Sequence, residues 1–380
     1  MIDLYSAFAA NLKSLRKKAG FTQKSLAEYI GYTEKAISKW ESANALPPVE
    51  TLHALSQLFG VSIDSMLENY EEPLYYVGID GGGTKTLLAL SDADGKVLRT
   101  VTLGPCNPMI IGFEASEKII GEGLNKLCAD LSPRRISVFA GIAGIDPRVN
   151  GDVLRKYISS MNYGSVRIGN DSENVVSAGL GENDGIAVIM GTGSNLFTKR
   201  GSVLRQYGGY GYLFDNGGNG YSFARDAIAA VLAYENGYGP YTVLSEIFEK
   251  ENGCKMSAMI PELYGRGNRY IASFAGLVDI AYKMNDPVAV NIFDRNMREV
   301  ANIMNAALKD FDTGTVNAFF VGGLTKQSDL LFPLIQKYLD TDKEVNLIVY
   351  RHEPVLGALR LAGSPVDTSV GNGIERNIEV

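Results

Sequence analysis

The sequence predicts an all-α domain at its N-terminal end, followed by a larger α/β region. Over residues 6–67 apolar side chains recur at helical spacing, and a glycine or polar break follows each short segment. After Pro73 the pattern changes to apolar, β-branched runs separated by glycine turns. With 380 residues, of which 46% are hydrophobic and 21% charged, the chain can form two or three ordinary globular domains. We expect a helical domain over residues 1–70, a short linker at 71–74, and an α/β region from residue 75.

The composition argues against several classes of protein. Neither a run of about 18 apolar residues nor a signal-peptide pattern is found, so we expect a cytoplasmic protein without membrane contact. Cys106, Cys128 and Cys254 stand far apart and only two histidines occur, which favours buried free thiols over a zinc site or disulfides. A net charge of -7 argues against nonspecific nucleic-acid binding by the whole molecule.

Two of the predicted N-terminal helices have clear ends. "FTQKSLAEYIG" opens with Thr22 as its N-cap and closes on Gly31, and "YTEKAISKWES" opens on Thr33. Two short helices across a tight turn form helix-turn-helix geometry. Residues 1–46 carry seven basic and four acidic side chains, a local balance of +3. This supports DNA binding; the alternative is a helical protein-interaction module with a solvated charged face.

The segment "TQKSLAEYIGYTEKAISKWESANALPPVETLHALSQLFGVSIDSML" resembles the helix-turn-helix domains of the phage Cro and repressor (XRE) family over its whole length. The resemblance implies that the second helix enters the major groove of a double-stranded DNA operator, and that the protein acts as a homodimer on paired half-sites. The residues that it places near DNA are Gln23, at a phosphate, and Thr33, Glu34, Lys35, Ser38 and Lys39, at the groove. Ile37 belongs to the core, and Trp40 is expected to be a packing anchor.

The stretch "YVGIDGGGTKTLLAL", residues 76–90, resembles a P-loop only superficially. A P-loop requires G-x-x-x-x-G-K-[ST] between a strand and a helix, whereas here Gly83 is followed by Thr84. The following "TKTLLALSDADGKVLRTVTL" predicts two strands joined by an Asp-Gly turn. The glycines are therefore expected in a strand-to-strand turn, whose backbone N–H groups can approach a phosphate.

Three further motifs follow along the chain. "VRIGNDSENVVSAGLG" predicts a strand that ends at Asn170 and Asp171 and is followed by a helix, and "GIAVIMGTGSNLFTK" predicts two strands around a second glycine turn at residues 191–194. "AFFVGGLTKQSDLLFPLI" predicts a strand, the pair Gly322 and Gly323, and a helix, which suits close approach of backbone to an adenosine. Together with the first hairpin, these motifs resemble the sugar-kinase, actin and heat-shock-protein (ASKHA) superfamily.

Across residues 75–362 the chain resembles N-acetylglucosamine kinases and the related BadF/BadG/BcrA/BcrD ATPases, including the stretches "GPCNPMIIG" and "YGGYGYLF". The resemblance implies an α/β, two-lobed actin-like (ribonuclease H-like) fold that binds ATP and an amino sugar in the cleft between its lobes. Lobe I is expected over residues 75–183, completed by 352–380, and lobe II over 184–351.

The same resemblance implies roles for the motif residues. Asp171 is the general base for the sugar 6-hydroxyl, and Asp80 holds Mg²⁺, through water. Those assigned to ATP are Asp80, Gly81, Gly82, Gly83, Thr84, Lys85, Gly191, Thr192, Gly193, Ser194, Gly322 and Gly323. Those assigned to the amino sugar are Asn107, Asp171, Gly209, Tyr210, Asp215 and Asn216. An alternative role for Asp171 is to cap the helix that begins near Ser172.

The stretch "YLFDNGGNGY" departs from the kinase pattern. Those kinases usually have Gly-Asp-Glu-Gly-Ser where this chain has Asp-Asn-Gly-Gly-Asn at residues 215–219. A carboxylate expected to bind sugar hydroxyls thereby becomes Asn216, and its acidic neighbour becomes Gly217. Three explanations are open: Asp215 takes over, a different substrate is bound, or the domain senses a sugar without phosphorylating it.

Two main hypotheses on function result. The first is an ATP-dependent amino-sugar kinase fused to a sequence-specific DNA-binding domain, favoured by Asp80, Asp171 and both glycine turns. The second is a sugar-sensing transcriptional regulator that binds its ligand without catalysis, favoured by the altered segment 215–219. A third, an ATP-driven activator of 2-hydroxyacyl-CoA dehydratases, requires paired cysteines for an iron-sulfur cluster, and the cysteines of this chain do not fall at the glycine turns.

Overall fold

A computed structural model describes residues 4–67, 73–201, 203–215, 217–312 and 314–367. The chain divides into two compact units, and each is described by itself. The first contains the described residues up to Ala178 and those from His352 onward, and the second contains Gly179–Arg351. Residues 71–72 of the expected linker, the stretch 368–380 of the expected lobe I and the predicted sugar contact Asn216 lie outside the described residues. Within the described ranges, no helix combines the length and apolar character needed to cross a membrane.

Five helices open the chain, and the expected caps of the second and third are confirmed. These helices are α1 Leu4–Lys18, α2 Gln23–Ile30, α3 Glu34–Glu41, α4 Val49–Phe59 and α5 Ile63–Leu67. The Thr22 side chain accepts from the Ser25 N–H at the start of α2, and Gly31 ends this helix in the left-handed conformation, with a φ of 74°. Thr33 accepts from the Ala36 N–H and thereby caps α3.

A compact apolar core and one buried ion pair hold this helical domain together. Ile37 is fully buried, and Trp40 packs edge-on against Tyr32 with ring centroids 5.0 Å apart, as expected for a packing anchor. Arg16 on α1 forms an ion pair of 2.5 Å with Glu41 on α3. Both side chains are almost completely shielded from solvent, so the pair fixes the two helices against each other.

The α/β region contains ten strands and eleven helices in the described residues. The strands are β1 Tyr75–Gly81, β2 Thr86–Asp92, β3 Val97–Leu103, β4 Ile136–Ile142, β5 Ser165–Gly169, β6 Gly185–Met190, β7 Ser194–Arg200, β8 Val203–Tyr207, β9 Thr315–Val321 and β10 Glu344–Val349. The helices are α6 Pro108–Ile111, α7 Phe113–Cys128, α8 Asp152–Ser159, α9 Asp171–Leu180, α10 Gly220–Glu235, α11 Leu244–Asn252, α12 Met256–Ser273, α13 Ala275–Lys283, α14 Pro287–Leu308, α15 Ser328–Tyr338 and α16 Val355–Ala362.

The sheet of the first unit has the strand order β3-β2-β1-β4-β5. Strands β1 and β2 form an antiparallel hairpin in which Gly81 pairs with Thr86, so the prediction of a hairpin instead of a P-loop is confirmed. Strands β1, β4 and β5 are parallel, with Asp80 beside Gly141 and Gly141 beside Gly169. Their carboxyl ends therefore meet at one edge of the sheet, where ligands bind in folds of this class.

Two elements far apart in sequence pack against this sheet. The C-terminal helix α16 lies so close to β1 that a Cβ atom on Gly78 would be 2.6 Å from the Leu359 nitrogen. The helix-turn-helix domain contacts the free edge of β5, where Val61 forms an isolated antiparallel bridge with Ser165. The Ser165 hydroxyl also donates a 2.5 Å hydrogen bond to the Gly60 carbonyl. The N-terminal domain is thus attached to the strand that leads to Asp171.

The second unit is built on a mixed sheet with the order β10-β9-β6-β7-β8. Strands β6 and β7 form an antiparallel hairpin around the predicted glycine turn, with Met190 paired to Ser194. Helices α10 to α15 belong to the same unit. Phe223 on α10 packs edge-on against Phe293 on α14, with ring centroids 4.9 Å apart. An all-α domain followed by α/β units on mixed sheets is the predicted fold class.

Candidate functional site

The first cluster of predicted site residues lies at the carboxyl edge of the first sheet. Asp80 is the penultimate residue of β1, and its Oδ1 accepts a 2.8 Å hydrogen bond from the Asn174 side chain on α9. The same Nδ2 of Asn174 also lies 3.2 Å from the carbonyls of Ile79 and Gly141. A Cβ atom on Gly141 would lie 2.1 Å from Asn174 Oδ1, so glycine is required there.

Asn174 was missed by the sequence analysis, although one signal was present. It lies three residues after Asp171 in the same helix, so both side chains occupy one face. Its Oδ1 is buried and has no hydrogen-bond partner among the described residues. A buried acceptor without a donor is rare in native proteins, so this oxygen is an unusual feature of the site.

Asp171 is the first residue of α9, but a neighbour performs the capping. The Asn170 Oδ1 accepts from the Ser172 N–H at 3.1 Å and from the Ser172 hydroxyl at 2.6 Å. Asn170 also donates to the Ile145 carbonyl, which fixes the turn before the helix. The helix is therefore capped by Asn170, whereas the alternative was that Asp171 is the cap.

Both carboxylates at this edge are partly desolvated. Burial, followed by the negative charges of Asp171 and Glu353, raises the pKa of Asp80 to about 6, although the Asn174 hydrogen bond and Lys85 act to lower it. Burial likewise raises the pKa of Asp171, while the backbone N–H groups of Ser172 and of Asp171 itself oppose the shift. A partly buried carboxylate of raised pKa is suited to accept a proton or to hold a cation.

The residues present suit Mg²⁺ held mainly through water. Among the residues that the structure describes, no group of three or more His, Cys, Asp or Glu side chains could hold a metal ion. Mg²⁺ prefers one or two carboxylates, several waters and phosphate oxygens. Asp80, at the end of β1, supplies such a carboxylate.

The first glycine turn closes the hairpin beside Asp80. Gly82, Gly83, Thr84 and Lys85 join β1 to β2, and the Gly82 N–H donates to the Lys85 carbonyl at 2.9 Å. Lys85 forms a 3.2 Å ion pair with Glu353, both side chains being about half exposed. Glu353, which the sequence analysis did not select, therefore pairs with Lys85 and contributes to the raised pKa of Asp80.

Asn107 lies in the same unit, immediately before α6. Its Oδ1 accepts from the Met109 N–H at 2.9 Å and caps that helix. A Cβ atom on Gly144 would lie 2.6 Å from the same oxygen, so the loop after β4 lies directly against Asn107. Capping fixes the direction of the carboxamide, which suits a residue that positions a ligand.

The second glycine turn is anchored on the N-terminus of α10 in the second unit. The Gly191 carbonyl accepts from the Gly220 N–H at 2.8 Å, and the Thr192 carbonyl accepts from the Tyr221 N–H at 3.1 Å. Asn219 caps α10 and donates to the Ser194 hydroxyl at 3.1 Å. The positive end of the α10 dipole therefore lies at a turn predicted to bind phosphate.

The two glycines after β9, Gly322 and Gly323, have different surroundings. Gly322 has a φ of 111°, and a Cβ atom there would lie 2.4 Å from the Met190 carbonyl oxygen. Gly323 has open space around its Cα. Gly322 is therefore required for packing against the second glycine turn, whereas Gly323 remains the candidate for approach to an adenosine.

The remaining predicted sugar contacts lie on the loop after β8. Asp215 accepts from the N–H groups of Tyr210 and Gly211, at 3.1 and 2.9 Å, and thereby fixes its own loop. The Tyr210 side chain is 72% exposed. Gly209, with a φ of 77°, packs against Asn195, whose buried Oδ1 has no hydrogen-bond partner within the described ranges. Asn195 is a second polar residue that the sequence analysis missed.

Gly218, the one position of segment 215–219 that matches the kinase pattern, is part of the scaffold. Gly218 has a φ of 78°, and a Cβ atom there would lie 2.3 Å from Val300 Cγ2. Its N–H donates to Asn296 Oδ1 at 3.0 Å, and the Ser222 hydroxyl donates to the same oxygen at 2.6 Å. Glycine at this position is therefore explained by packing.

The predicted DNA-contacting residues differ in their availability. Thr33, Glu34, Lys35, Ser38 and Lys39 are all exposed on or next to α3. Gln23 is half-buried and donates a 2.7 Å hydrogen bond to Glu41, the acid of the buried ion pair. Gln23 is thus engaged within the domain, while the other five leave an exposed polar surface.

Comparisons with known proteins agree with this architecture. Residues 77–362 match the BadF/BadG/BcrA/BcrD ATPase family, and residues 12–66 match a helix-turn-helix family. The chain is similar to the N-acetylmuramic acid/N-acetylglucosamine kinase of Clostridium acetobutylicum, with 30% identity over 306 residues, which cover 77% of this chain and 99% of that protein.

Two further similarities concern the separate parts of the chain. A segment of 64 residues is 41% identical to the HTH-type transcriptional activator BcrR of Enterococcus faecalis and covers 17% of this chain and 31% of that protein. The fold resembles a crystal structure described as an N-acetylglucosamine kinase from Chromobacterium violaceum, with a TM-score of 0.61 and 22% identity over 76% of this chain and 99% of that chain. The chain belongs to the BadF/BadG/BcrA/BcrD ATPase family and carries a helix-turn-helix domain ahead of its ATPase region.

Proposed function

We propose that the chain is an ATP-dependent kinase that phosphorylates the 6-hydroxyl of N-acetylglucosamine or a related amino sugar, and that its helix-turn-helix domain binds an operator in double-stranded DNA. The observation that carries the proposal is the partly buried carboxylate of Asp171 at the start of α9, a helix that is capped by Asn170. Asp80 lies at the same sheet edge, close enough for the two charges to interact. The similarity to the Clostridium acetobutylicum kinase supports an amino sugar as the acceptor.

In the proposed reaction, Asp171 accepts the proton of the sugar hydroxyl while the hydroxyl oxygen attacks the γ-phosphorus of ATP. The bond from that phosphorus to the bridging oxygen breaks, and ADP leaves. Because phosphoryl transfer needs little covalent help from the protein, positioning and charge neutralisation account for most of the catalysis. The Asn170 cap fixes the backbone from which Asp171 projects and so supplies part of the positioning.

The residues that would hold ATP and Mg²⁺ come from both glycine turns. Asp80 would hold Mg²⁺ through water, and the metal would neutralise charge on the phosphate oxygens. The proposed phosphate contacts are Gly81, Gly82, Gly83, Thr84, Lys85, Gly191, Thr192, Gly193 and Ser194. Gly323 is proposed for the adenosine. Asn107, Gly209 and Tyr210 are proposed for the amino sugar.

Release of ADP in the presence of different sugars tests the kinase. N-acetylglucosamine with MgATP should give ADP, and Asp171→Asn should lower turnover about 10²–10⁴-fold, as expected for a lost general base, while sugar binding measured by calorimetry persists. Asp130→Asn, at an exposed ion pair with Arg99, is the control and should leave turnover unchanged. If wild-type protein gives no ADP above a sugar-free sample across a panel of amino sugars and hexoses, the chain is not a kinase of these sugars.

One observation favours the second candidate function, a regulator that senses sugar without catalysis. Both oxygens of Asp215 are engaged by loop N–H groups, so this carboxylate is less free to replace the missing acid. In that case the sugar would bind and change operator affinity, but no ADP would form. A sugar affinity that changes with operator, in a protein that forms no ADP, would favour this candidate, because any coupling between sugar and DNA must be reciprocal.

DNA binding is tested at α3. Lys35 and Lys39 are exposed there, and replacing either by alanine should weaken binding to a promoter fragment and reduce the slope of log affinity against log salt by about 1. Lys250→Ala, at an exposed position of α11, is the control. We also propose that the protein binds operator half-sites as a homodimer, which sedimentation of the full chain with and without DNA would test.

A further inference from the structure

A cavity of about 820 Å³ lies within the first unit, between the helix-turn-helix domain and the α/β region. This volume is within the range of about 300–1,000 Å³ typical of small-molecule sites. The helical side contributes residues near the end of α4 and the start of α5, including His53, Gln57 and Asp64. The other side includes residues from α8 and β5. None of its lining residues belongs to the proposed kinase site.

The positively charged residues that line the cavity differ in their ion pairs and hydrogen bonds. Arg155 forms an ion pair with Asp152 and donates to Gln57. Arg167 also lines the cavity, and in the part of the chain that the structure describes its guanidinium has no hydrogen bond or ion pair. Lys156 likewise lines the cavity without an ion pair in those residues.

Arg167 is an exposed residue of β5, so its guanidinium is accessible to a ligand in the cavity. The negatively charged neighbour that acts on it is Glu173. The Oε1 of Glu173 itself accepts the Asn170 N–H at 3.0 Å, so it already has another partner. The guanidinium lies 5.8 Å from the centroid of the Phe139 ring, which stabilises the cation from one side.

We propose that this cavity binds a phosphorylated polyol of the sugar-phosphate class, with its phosphate on Arg167 and Lys156. The planar guanidinium matches a phosphate group through paired hydrogen bonds, and a lysine adds a second positive charge. Asp64, His53 and the serine hydroxyls of the lining provide acceptors and donors for the hydroxyl groups of a polyol. The choice of an amino-sugar 6-phosphate as probe rests on the proposed function, whereas the cavity and its charges do not.

Arg167 is placed to transmit binding to the helix-turn-helix domain. A Cβ atom on Gly60 would lie 2.6 Å from Arg167 Cγ, so the arginine stem packs directly on the turn that ends α4. The next residue, Val61, is bridged to Ser165 on the same strand as Arg167. A phosphate that holds the guanidinium therefore acts on the contact between the two parts, and operator DNA should change the affinity for the phosphate by the same factor as the phosphate changes affinity for DNA.

Calorimetry on the full-length protein with N-acetylglucosamine 6-phosphate tests the site. The titration is run with and without saturating N-acetylglucosamine, which occupies the proposed substrate site. Binding that survives the competitor should weaken at least tenfold in Arg167→Met, which keeps the stem on Gly60 and removes the charge, because hydrogen bonds to charged groups are strong. Arg167→Lys should retain most of the affinity, and Arg148→Gln, at an exposed ion pair with Asp146, should bind as wild type.

A second variant distinguishes loss of binding from loss of folding. Lys156→Met changes an exposed residue of α8 and should also weaken binding, with an unchanged melting temperature. Binding that is fully displaced by N-acetylglucosamine and is equal in wild type and both methionine variants would overturn the site and leave the kinase intact. No binding of either the sugar phosphate or inorganic phosphate to wild type would also overturn it. Arg167-dependent binding in a protein that forms no ADP would instead support the site and reject the kinase.

Discussion

The Asn174 carboxamide donates a 2.8 Å hydrogen bond to the carboxylate of Asp80 and lies within 3.2 Å of two strand-end carbonyls. One side chain on α9 therefore sets the position of the acid proposed to hold Mg²⁺. The hydrogen bond also lowers the Asp80 pKa against the effect of burial. Asn174 is thus a positioning residue for the first half of the site.

Asn174→Ala should impair use of MgATP more than use of sugar. Without the hydrogen bond, the pKa of Asp80 rises further, so the KM for MgATP should increase and the pH optimum of kcat/KM should move upward. Loss of buried hydrogen bonds should also lower the free energy of unfolding by about 1–3 kcal/mol. Steady-state kinetics from pH 5.5 to 8.5 would measure both effects, with exposed Asn236→Ala as the control. An unchanged pH profile would contradict the role assigned to Asn174.

Asp80→Asn should stabilise the protein in metal-free buffer above pH 6. Burial raises the pKa of Asp80 from 3.8 to about 6, so between these values the native state binds more protons than the unfolded chain. Stability of the wild type therefore falls as pH rises through this interval. Above pH 6, this pKa shift corresponds to a loss of at most about 3 kcal/mol in the free energy of unfolding of the wild type. Asparagine is neutral at every pH and still offers an acceptor to Asn174.

Calorimetric unfolding between pH 4 and 8 in a chelating buffer measures this difference. The gain of Asp80→Asn over wild type should be near zero at pH 4 and largest above pH 6. In separate scans without chelator, the stabilisation by MgATP seen in wild type should be lost in the variant. Asp130→Asn is a control in which the change in stability should have the opposite sign. The hydrogen bond to Arg99 lowers the pKa of Asp130 to about 2, so removing this carboxylate should destabilise the protein. A gain that is independent of pH would show that charge burial is not the cause.

Gly218→Ala should destabilise the second unit by about 1–3 kcal/mol, because the new Cβ atom would overlap Val300 Cγ2. The φ of 78° adds backbone strain to this overlap. Gly193→Ala is the matched control, since no atom lies within 4 Å of its added Cβ and its φ is not in the left-handed region. Thermal unfolding of both variants measures the difference, and equal melting temperatures would remove the packing explanation for glycine at position 218.

Glu41→Gln should unfold the helix-turn-helix domain preferentially. The change leaves the buried Arg16 guanidinium without its anion, which typically costs about 3–5 kcal/mol. Trp40 is the chain's single tryptophan and lies in this domain, so its fluorescence reports the transition directly. Glu34→Gln, exposed on the same helix, should leave the midpoint in urea unchanged. Coincident midpoints for wild type and Glu41→Gln would contradict the importance of the pair.

Local signals predicted much of the fold. The Thr22 and Thr33 caps depend on residues three positions away, and the Gly81 hairpin depends on register within one short stretch. Short-range chemistry of this kind is visible in the sequence. Local sequence patterns also predicted that Asp80 and Asp171 lie at the ends of strands. Parallel pairing of these strands then brings the two residues to one edge of the sheet.

Long-range contacts could not be predicted in the same way. Asn174 lies 94 residues after Asp80 and Glu353 lies about 270 residues after it, and the sequence around Asp80 marks neither partner. Gly322 resembled an adenosine contact, but its immediate neighbour is the Met190 carbonyl. Gln23 resembled a phosphate contact, yet its side chain is bonded to Glu41. Such partners depend on which elements the fold brings together.

The bridge between Val61 and Ser165 has a practical consequence for truncated versions of this protein. Strand β5 is the last in its sheet, and the N-terminal domain covers part of its open side. An exposed strand edge is a template for pairing with other chains. Removing residues 1–72 to obtain a shorter protein for crystallisation would uncover that edge and promote self-association, so the soluble fragment to express is the one that keeps its first domain.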